Sequence, residues 1–339
     1  MHYIEYAPTT DGWELALYRY AGDRASILLC HGFACNRYNL DFEDSKYSLA
    51  KYLANKGLDV WVLELRGHGK SRKKGIKKWF NWCFDTYVNH DAPDAINYIK
   101  KRLAKEGMDT KIFWIGHSMG GMIAYAYGST ENGRKNLKGV ITIASPVKFS
   151  GLFKNLQKEG YEWLINLVKI RCPHRLNQPF FTPLYINMKW SREIIEKFFV
   201  NRNNIDNKVL QKFWEIGIEI ISCKKLYQFA FMLEMSDFCK FPKYPRFCKI
   251  FSWFCPESYI KNFKNFIAPL LVIAGNGDKV AIKEDVFKIK EMVGSKDITL
   301  KMFSKENSTA DYGHLDLVLG INSEKEIFRE IYNWIEERL

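Results

Sequence analysis

The sequence predicts a doubly wound, mostly parallel α/β sheet that carries one long helical insertion. Three features carry this expectation: short apolar runs without polar alternation, helical stretches between them, and one interval where the alternation stops. The runs are Ser26–Phe33, Asp59–Leu65, Lys111–Ile115, Leu137–Ala144 and Pro269–Ala274, with Asp297–Phe303 a further strand. A strand covered on both faces needs no polar side, so such runs fit the interior of a parallel sheet.

The helical stretches follow from spacing and stop signals. One lies near Lys46–Lys56 and closes on Gly57. From Asp85 to Glu106, residues Val88, Ala92, Ala95, Ile96, Ile99 and Leu103 recur at three- and four-residue intervals up to Gly107, and Pro93 predicts a bend. Met122–Ser129 reads as a helix, and Glu324–Leu339 as a closing one.

Between Pro146 and Phe266 the pattern becomes helical, aromatic and charged. Residues 151–266 hold 24 of the 52 aromatic residues, and 19 Lys/Arg against 10 Asp/Glu, nine of the thirteen net positive charges. The expected organisation is a core over 1–149, a helical cap over 150–266 and a second core segment over 267–339. No internal repeat or low-complexity tract interrupts it.

At 339 residues and 47% hydrophobic, the chain can bury a full core. Met1–Tyr20 lacks the basic stretch, apolar run and cleavage site of a secretory signal, and no segment reaches the roughly 18 apolar residues of a membrane span. A cytoplasmic protein is therefore expected. The net charge of +13 is compatible with peripheral contact at an anionic membrane, while no folded motif supports a nucleic-acid partner. The basic run Arg72–Lys78 reads as a solvated loop. Eight cysteines without a CxxC pair argue against a zinc site or a dense disulfide framework, so reduced, packed thiols are expected. Oligomeric state has no signature in the sequence.

Gly116-His117-Ser118-Met119-Gly120 fits G-x-S-x-G and stands between an apolar strand and a helix, the context in which a serine is presented on a sharp turn. Its glycines let neighbouring backbone approach closely, and the following helix start offers amides to a developing oxyanion. A serine hydroxyl needs a histidine base, itself held by a carboxylate. His31 and His68 lie in turns after early strands, His117 lies inside the serine turn, and His2, His90 and His174 follow no strand end. His314 alone sits in a loop after the late strand, which makes it the candidate base. Asp278, in the turn directly after Pro269–Ala274, is the candidate acid; its rivals are Asp311 and Asp316, of which Asp316 is expected to bond locally and fix the His314 loop. The backbone amides of Phe33 and Met119 are the expected oxyanion donors.

Taken in order, HGF, ELRGHGKS, GHSMGG, GNGD and YGHLD resemble the lipase and esterase branch of the α/β-hydrolase superfamily, over roughly residues 10–149 and 267–339. The insertion has no counterpart in that resemblance. The His314-Leu315-Asp316 ending is similar to that of acid lipases and of polyhydroxyalkanoate synthases, but the latter carry cysteine at the elbow, and Ser118 stands here. The resemblance implies an α/β-hydrolase fold, hydrolysis of an apolar acyl ester or lipid, and neither metal nor organic cofactor.

Two other functions fit the same residues: acyl transfer or thioester cleavage with the same triad, and a non-catalytic protein holding an apolar ligand. In the insertion, Trp163, Trp190, Trp214, Phe251, Trp253 and Phe254 are expected mostly to pack as core, with an acyl tunnel or lipid contact, near Lys243, Arg246 and Lys249, as the alternative.

Overall fold

The computed structural model describes residues 2–73, 80–180, 182–243, 248, 253 and 255–339. Eight strands build the main sheet: β1 (Tyr3–Pro8), β2 (Trp13–Tyr20), β3 (Ser26–Cys30), β4 (Asp59–Leu63), β5 (Ile112–His117), β6 (Leu137–Ile143), β7 (Leu270–Gly275) and β8 (Ile298–Phe303). Their order is β1-β2-β4-β3-β5-β6-β7-β8, with Arg72–Lys73 pairing against β2. From β4 onward all neighbours run parallel; β1 and β2 are antiparallel to each other, and β2 is antiparallel to β4. The chain leaves β3 for β4 on one side and reaches β5 on the other, so the β3/β5 seam is where strand order reverses. Ligand crevices in such sheets open at this seam.

The apolar runs form the central strands because every residue of β3, β4, β5 and β7 is buried. Helix α1 (Leu49–Ala54) starts where Ser48 Oγ accepts the Lys51 amide, and its chain turns away at Gly57 with φ +81°. At Pro93 the expected bend takes a specific form. A π turn over Tyr87–Asp91 precedes α2 (Ala92–Lys105), and the Ala92 amide reaches back to the Tyr87 carbonyl. Proline has no N–H to continue an α-helical ladder, so the wider turn absorbs the mismatch. After the elbow comes α3 (Met119–Gly128).

The hairpin of β1 and β2 extends the sheet beyond what periodicity indicates. Strand β2 carries Arg19, only 1% exposed. Its Nε donates to Asp59 Oδ1 at 2.7 Å, its Nη1 to Glu106 Oε1 at 2.7 Å, and it stacks on Trp61. A charged residue is thus buried by being paired.

Between β6 and β7 the chain forms α4 (Ser150–Lys158), α5 (Trp163–Arg171), α6 (Thr182–Asn187), α7 (Lys189–Phe199), α8 (Asn207–Ile216) and α9 (Cys223–Met235), with a short antiparallel pair, Pro179–Phe180 and Ile221–Ser222. The described tryptophans here depart from the expected core packing. Trp214 is buried, but Trp163, Trp190 and Trp253 are exposed by 47%, 48% and 74%; α5 and α7, which carry the first two, turn Ile165 and Phe198 inward instead. Phe251, Phe254, Arg246 and Lys249, and most of the Arg72–Lys78 run, lie outside the described residues. The thiol expectation also needs one correction: Cys248 and Cys255 form a disulfide, their Cα atoms 4.5 Å apart. The other six cysteines are free and buried. Among the described residues no helix is long and apolar enough to cross a membrane.

Replacing Arg19 by Met leaves Asp59 fully buried without a cation, at the end of the sheet opposite the β3/β5 crevice. Urea unfolding of Arg19→Met is expected to show a loss of about 3 kcal/mol; an unchanged midpoint would mean that the buried pair contributes nothing.

Candidate active site

The carboxyl ends of four strands converge on one place. The β5–α3 turn supplies Ser118, the turn after β3 supplies Gly32 and Phe33, the turn after β7 supplies Asp278, and the loop after β8 supplies His314.

Ser118 has φ +52°, ψ −118°, a conformation that costs a non-glycine residue and must be held by its surroundings. The holding contacts are visible. The Ser118 amide donates to the Ile143 carbonyl at 2.8 Å, and its carbonyl accepts the Gly121 and Met122 amides. A Cβ at Gly116 would lie 2.3 Å from Gly120 C and Gly121 N, and one at Gly120 would lie 2.2 Å from the Cys30 carbonyl oxygen. The turn is tight because two backbones meet where only glycine leaves room.

Ser118 Oγ stands 2.9 Å from His314 Nε2, and His314 Nδ1 stands 2.7 Å from Asp278 Oδ2. With Nδ1–H donating to the carboxylate, Nε2 is left as the acceptor facing the hydroxyl. Asp278 is 4% exposed, and its Oδ1 accepts the Val280 and Ala281 amides, both at 2.8 Å, so its orientation is fixed by its own turn. The rival carboxylates are engaged elsewhere. Asp311 accepts from Asn276 and the Lys305 amide, while Asp316 accepts the Gly313 and Asn201 amides and Asn204 Nδ2, which ties down the loop carrying His314.

Phe33 lines the cavity beside Ser118, and its amide donates no hydrogen bond among the described residues. Met119 is the first residue of α3, so its amide has no intrahelical acceptor. A Cβ on Gly32 would lie 3.4 Å from Ser118 Cβ, so the Gly32-Phe33 turn leans directly on the elbow.

The remaining buried histidines have their nitrogens committed. His31 donates to the Gly32 carbonyl and accepts the Leu65 amide; burial holds its imidazolium down to about 3. His68 donates to the Arg66 carbonyl, and burial likewise keeps it neutral. His117 lies with Nδ1 2.9 Å from Asn39 Oδ1 and Nε2 3.0 Å from the His314 carbonyl, and burial lowers its pKa well below the usual range, so its single N–H donates to one of these two oxygens. It packs between the His314 backbone and the Asn39 loop. His90 faces Thr10 on the surface, far along the chain from these turns.

Two partners escaped the sequence reading. Asn39 Oδ1 accepts the Gly32 amide at 3.0 Å, and nothing in its local sequence signals that role. Lys225, fully buried on α9, places Nζ 3.1 Å from His68 Nε2, 4.7 Å from the Phe33 ring and 5.5 Å from the Tyr87 ring. Burial pushes its ammonium down to about 7, against weaker opposing effects of Cys35 and Glu219. The segment before α9 is also stitched to the Phe33 turn: the Glu219 amide donates to the Ala34 carbonyl at 2.8 Å and the Asn36 amide to the Gly217 carbonyl at 3.1 Å.

Fold and geometry together define the class. Residues 25–320 match the alpha/beta hydrolase fold family, and the chain belongs to it. Within that family its relatives are lipases and esterases. It is 24% identical to human Lipase member K, across 99% of this chain and 88% of that protein. It is also 24% identical to the lysosomal acid lipase/cholesteryl ester hydrolase of Macaca fascicularis, across 97% and 86%. Among solved structures, a soluble variant of monoglyceride lipase from Saccharomyces cerevisiae shares the fold with a TM-score of 0.66 at 16% identity, covering 99% of this chain and 96% of that one. The esterase EaEST from Exiguobacterium antarcticum shares it at 0.64 and 15%, covering 98% of both chains.

Lys225 yields a pH prediction. In the unfolded chain it titrates near its ordinary 10.5, in the folded chain near 7, so between these values the unfolded state binds more protons. Through this residue stability rises as pH increases from about 7 towards 10, and its buried charge is most costly below 7. Thermal unfolding between pH 7 and 9 should show Lys225→Met with a flatter pH dependence than the wild type; parallel curves would refute the assignment.

Proposed function

We propose that the protein is a carboxylic ester hydrolase in which Ser118, His314 and Asp278 form the catalytic triad. The observation that carries this reading is the unbroken hydrogen-bonded line from Ser118 Oγ through both ring nitrogens of His314 to Asp278. The names of the relatives, lipases and esterases, support an ester as the substrate class.

In the first half-reaction Ser118 Oγ bonds to the ester carbonyl carbon while its proton passes to His314 Nε2. Asp278 stabilises the resulting imidazolium and keeps the ring oriented. The carbonyl oxygen, now anionic, is held by the amides of Phe33 and Met119. As the carbonyl reforms, the ester C–O bond breaks, and His314 returns the proton to the departing alcohol. In the second half-reaction water attacks the acyl-serine with His314 again as base, and the acid leaves. Asp316, Asn39 and His117 act here as positioning residues, through the His314 loop and the Gly32 turn. The segment 150–266 serves as a cap, because it supplies apolar side chains that face Ser118, among them Ile186, Phe199 and Trp214.

Turnover of p-nitrophenyl butyrate, and labelling by a fluorophosphonate, are expected for the wild type and lost by at least about a thousandfold in Ser118→Ala. Unchanged turnover in Ser118→Ala, or a folded wild type that neither turns over ester nor takes the label, would overturn the reading.

A further inference from the structure

The space beside Ser118 is small for a lipid chain. The cavity that contains Ser118 and His314 on its wall has a volume of about 180 Å³ and is otherwise bounded mainly by apolar groups, among them Phe33, Ile186, Ile195, Phe213, Trp214 and Ile218. An apolar cavity of roughly 150 Å³ accommodates one benzene, so this one holds roughly seven carbon-sized groups. With the reacting carbonyl at Ser118, the room left fits an acyl chain of about four to six carbons; a palmitoyl chain would need more than twice the space.

The walls are fastened in place. Trp214, on α8, donates its indole N–H to Glu196 Oε1 on α7 at 2.8 Å, and Glu196 is itself only 6% exposed. The other carboxylate oxygen of Glu196 is taken by Arg202. Swinging the indole aside would leave its own buried N–H and Glu196 Oε1 without that partner, an arrangement that costs more than the contact itself. Phe213 is fully buried with its ring 5.5 Å from that of Trp214, and Ile218 is held by its bridge to Cys35. These walls therefore do not give way by a simple side-chain rotation, and a longer chain has to leave the apolar pocket through its open side.

We infer that the site selects short acyl chains, and that Trp214, pinned by Glu196, is the residue that sets the limit. The inference rests on the ester-hydrolase reading above, since it concerns which acyl group that chemistry accepts.

The test measures kcat/KM for p-nitrophenyl acetate, butyrate, hexanoate, octanoate and palmitate with the wild type, Trp214→Ala and Ile195→Ala, each checked for native thermal unfolding. The wild type is expected to peak at butyrate or hexanoate and to fall by at least about a hundredfold at palmitate. Trp214→Ala should raise the octanoate-to-butyrate ratio about tenfold or more. Ile195→Ala should move the ratio the same way, and it keeps the idea testable if removing the indole prevents folding. Equal efficiency on palmitate and butyrate in the wild type, or unchanged ratios in folded variants, would overturn the short-chain inference while leaving the hydrolase standing. Absence of turnover on every ester, together with absence of fluorophosphonate labelling, would overturn both.

Discussion

The structure depends on one close approach: the first turn of α3 against the carboxyl end of β3. Gly120 sits where a Cβ would lie 2.2 Å from the Cys30 carbonyl oxygen, and Gly116 sits against Gly120 and Gly121. This contact fixes Ser118 in its left-handed conformation and sets the Gly32-Phe33 turn beside it. A strained serine persists only if its surroundings over-determine it. Here the surroundings are the most buried part of the sheet, β3 and β5, whose residues have no solvent-exposed alternative. The buried parallel strands are thus the support against which the elbow is bent.

Much of this was legible in the sequence, because its signals are local. A strand covered on both faces writes itself as an apolar run, and the glycines of Gly116–Gly120 mark the elbow by spacing alone. His314 could be singled out by its position after the last strand. What was not legible has a common physical character: it depends on partners remote in sequence. Strand β2 contains Glu14 and Arg19 and reads as polar, yet Arg19 is buried because Asp59 and Glu106 arrive from other elements. Asn39 and Lys225 carry no motif, and their roles exist only once the Gly32 turn and His68 are beside them. Among Asp278, Asp311 and Asp316, proximity along the chain favours the two that do not reach His314 Nδ1. The exposed Trp163 and Trp190 fail the expectation for a different reason, since aromatic content measures how much apolar surface a segment has and not which way it turns.

The helical segment is tied to the scaffold unevenly. At one end, residues 217–219 pair with Ala34 and Asn36, and Phe229 packs its ring 4.8 Å from that of Phe33. Lys225 reaches from the same helix to His68, so α9 and the turn bearing Phe33 form one packed unit. Elsewhere in the segment, α5 leaves Trp163, Leu167 and Ile170 exposed at four- and three-residue intervals, a stripe with no partner among the described residues comparable to the Phe33 contacts. The part of the segment nearest the proposed oxyanion donors is therefore the part most firmly held. Motion that would displace α9 would also displace Phe33, and precise donor placement is what such a site needs.

The same division governs polarity around the site. His31, His68 and His117 are buried, each with its ring nitrogens engaged, and burial disfavours the charged form of all three. Of the three, His31 links backbone to backbone, while His68 and His117 each join a backbone carbonyl to a side chain, and none competes for the proton that His314 would carry. Lys225 is the exception, a cation-capable group close behind Phe33 with no carboxylate in contact among the described residues; aromatic faces and a neutral imidazole surround its Nζ, and Glu219 and Cys35 act on it more weakly. Such surroundings tolerate an amine in either protonation state better than an apolar wall would, because the ring faces favour the ammonium and His68 Nε2 accepts a proton from either form. The tolerance explains how a lysine can sit at the junction of α9 and the scaffold with no salt bridge to the described residues. It also places a buried amine, held down to about 7 by burial, next to the turn on which the proposed oxyanion donor depends.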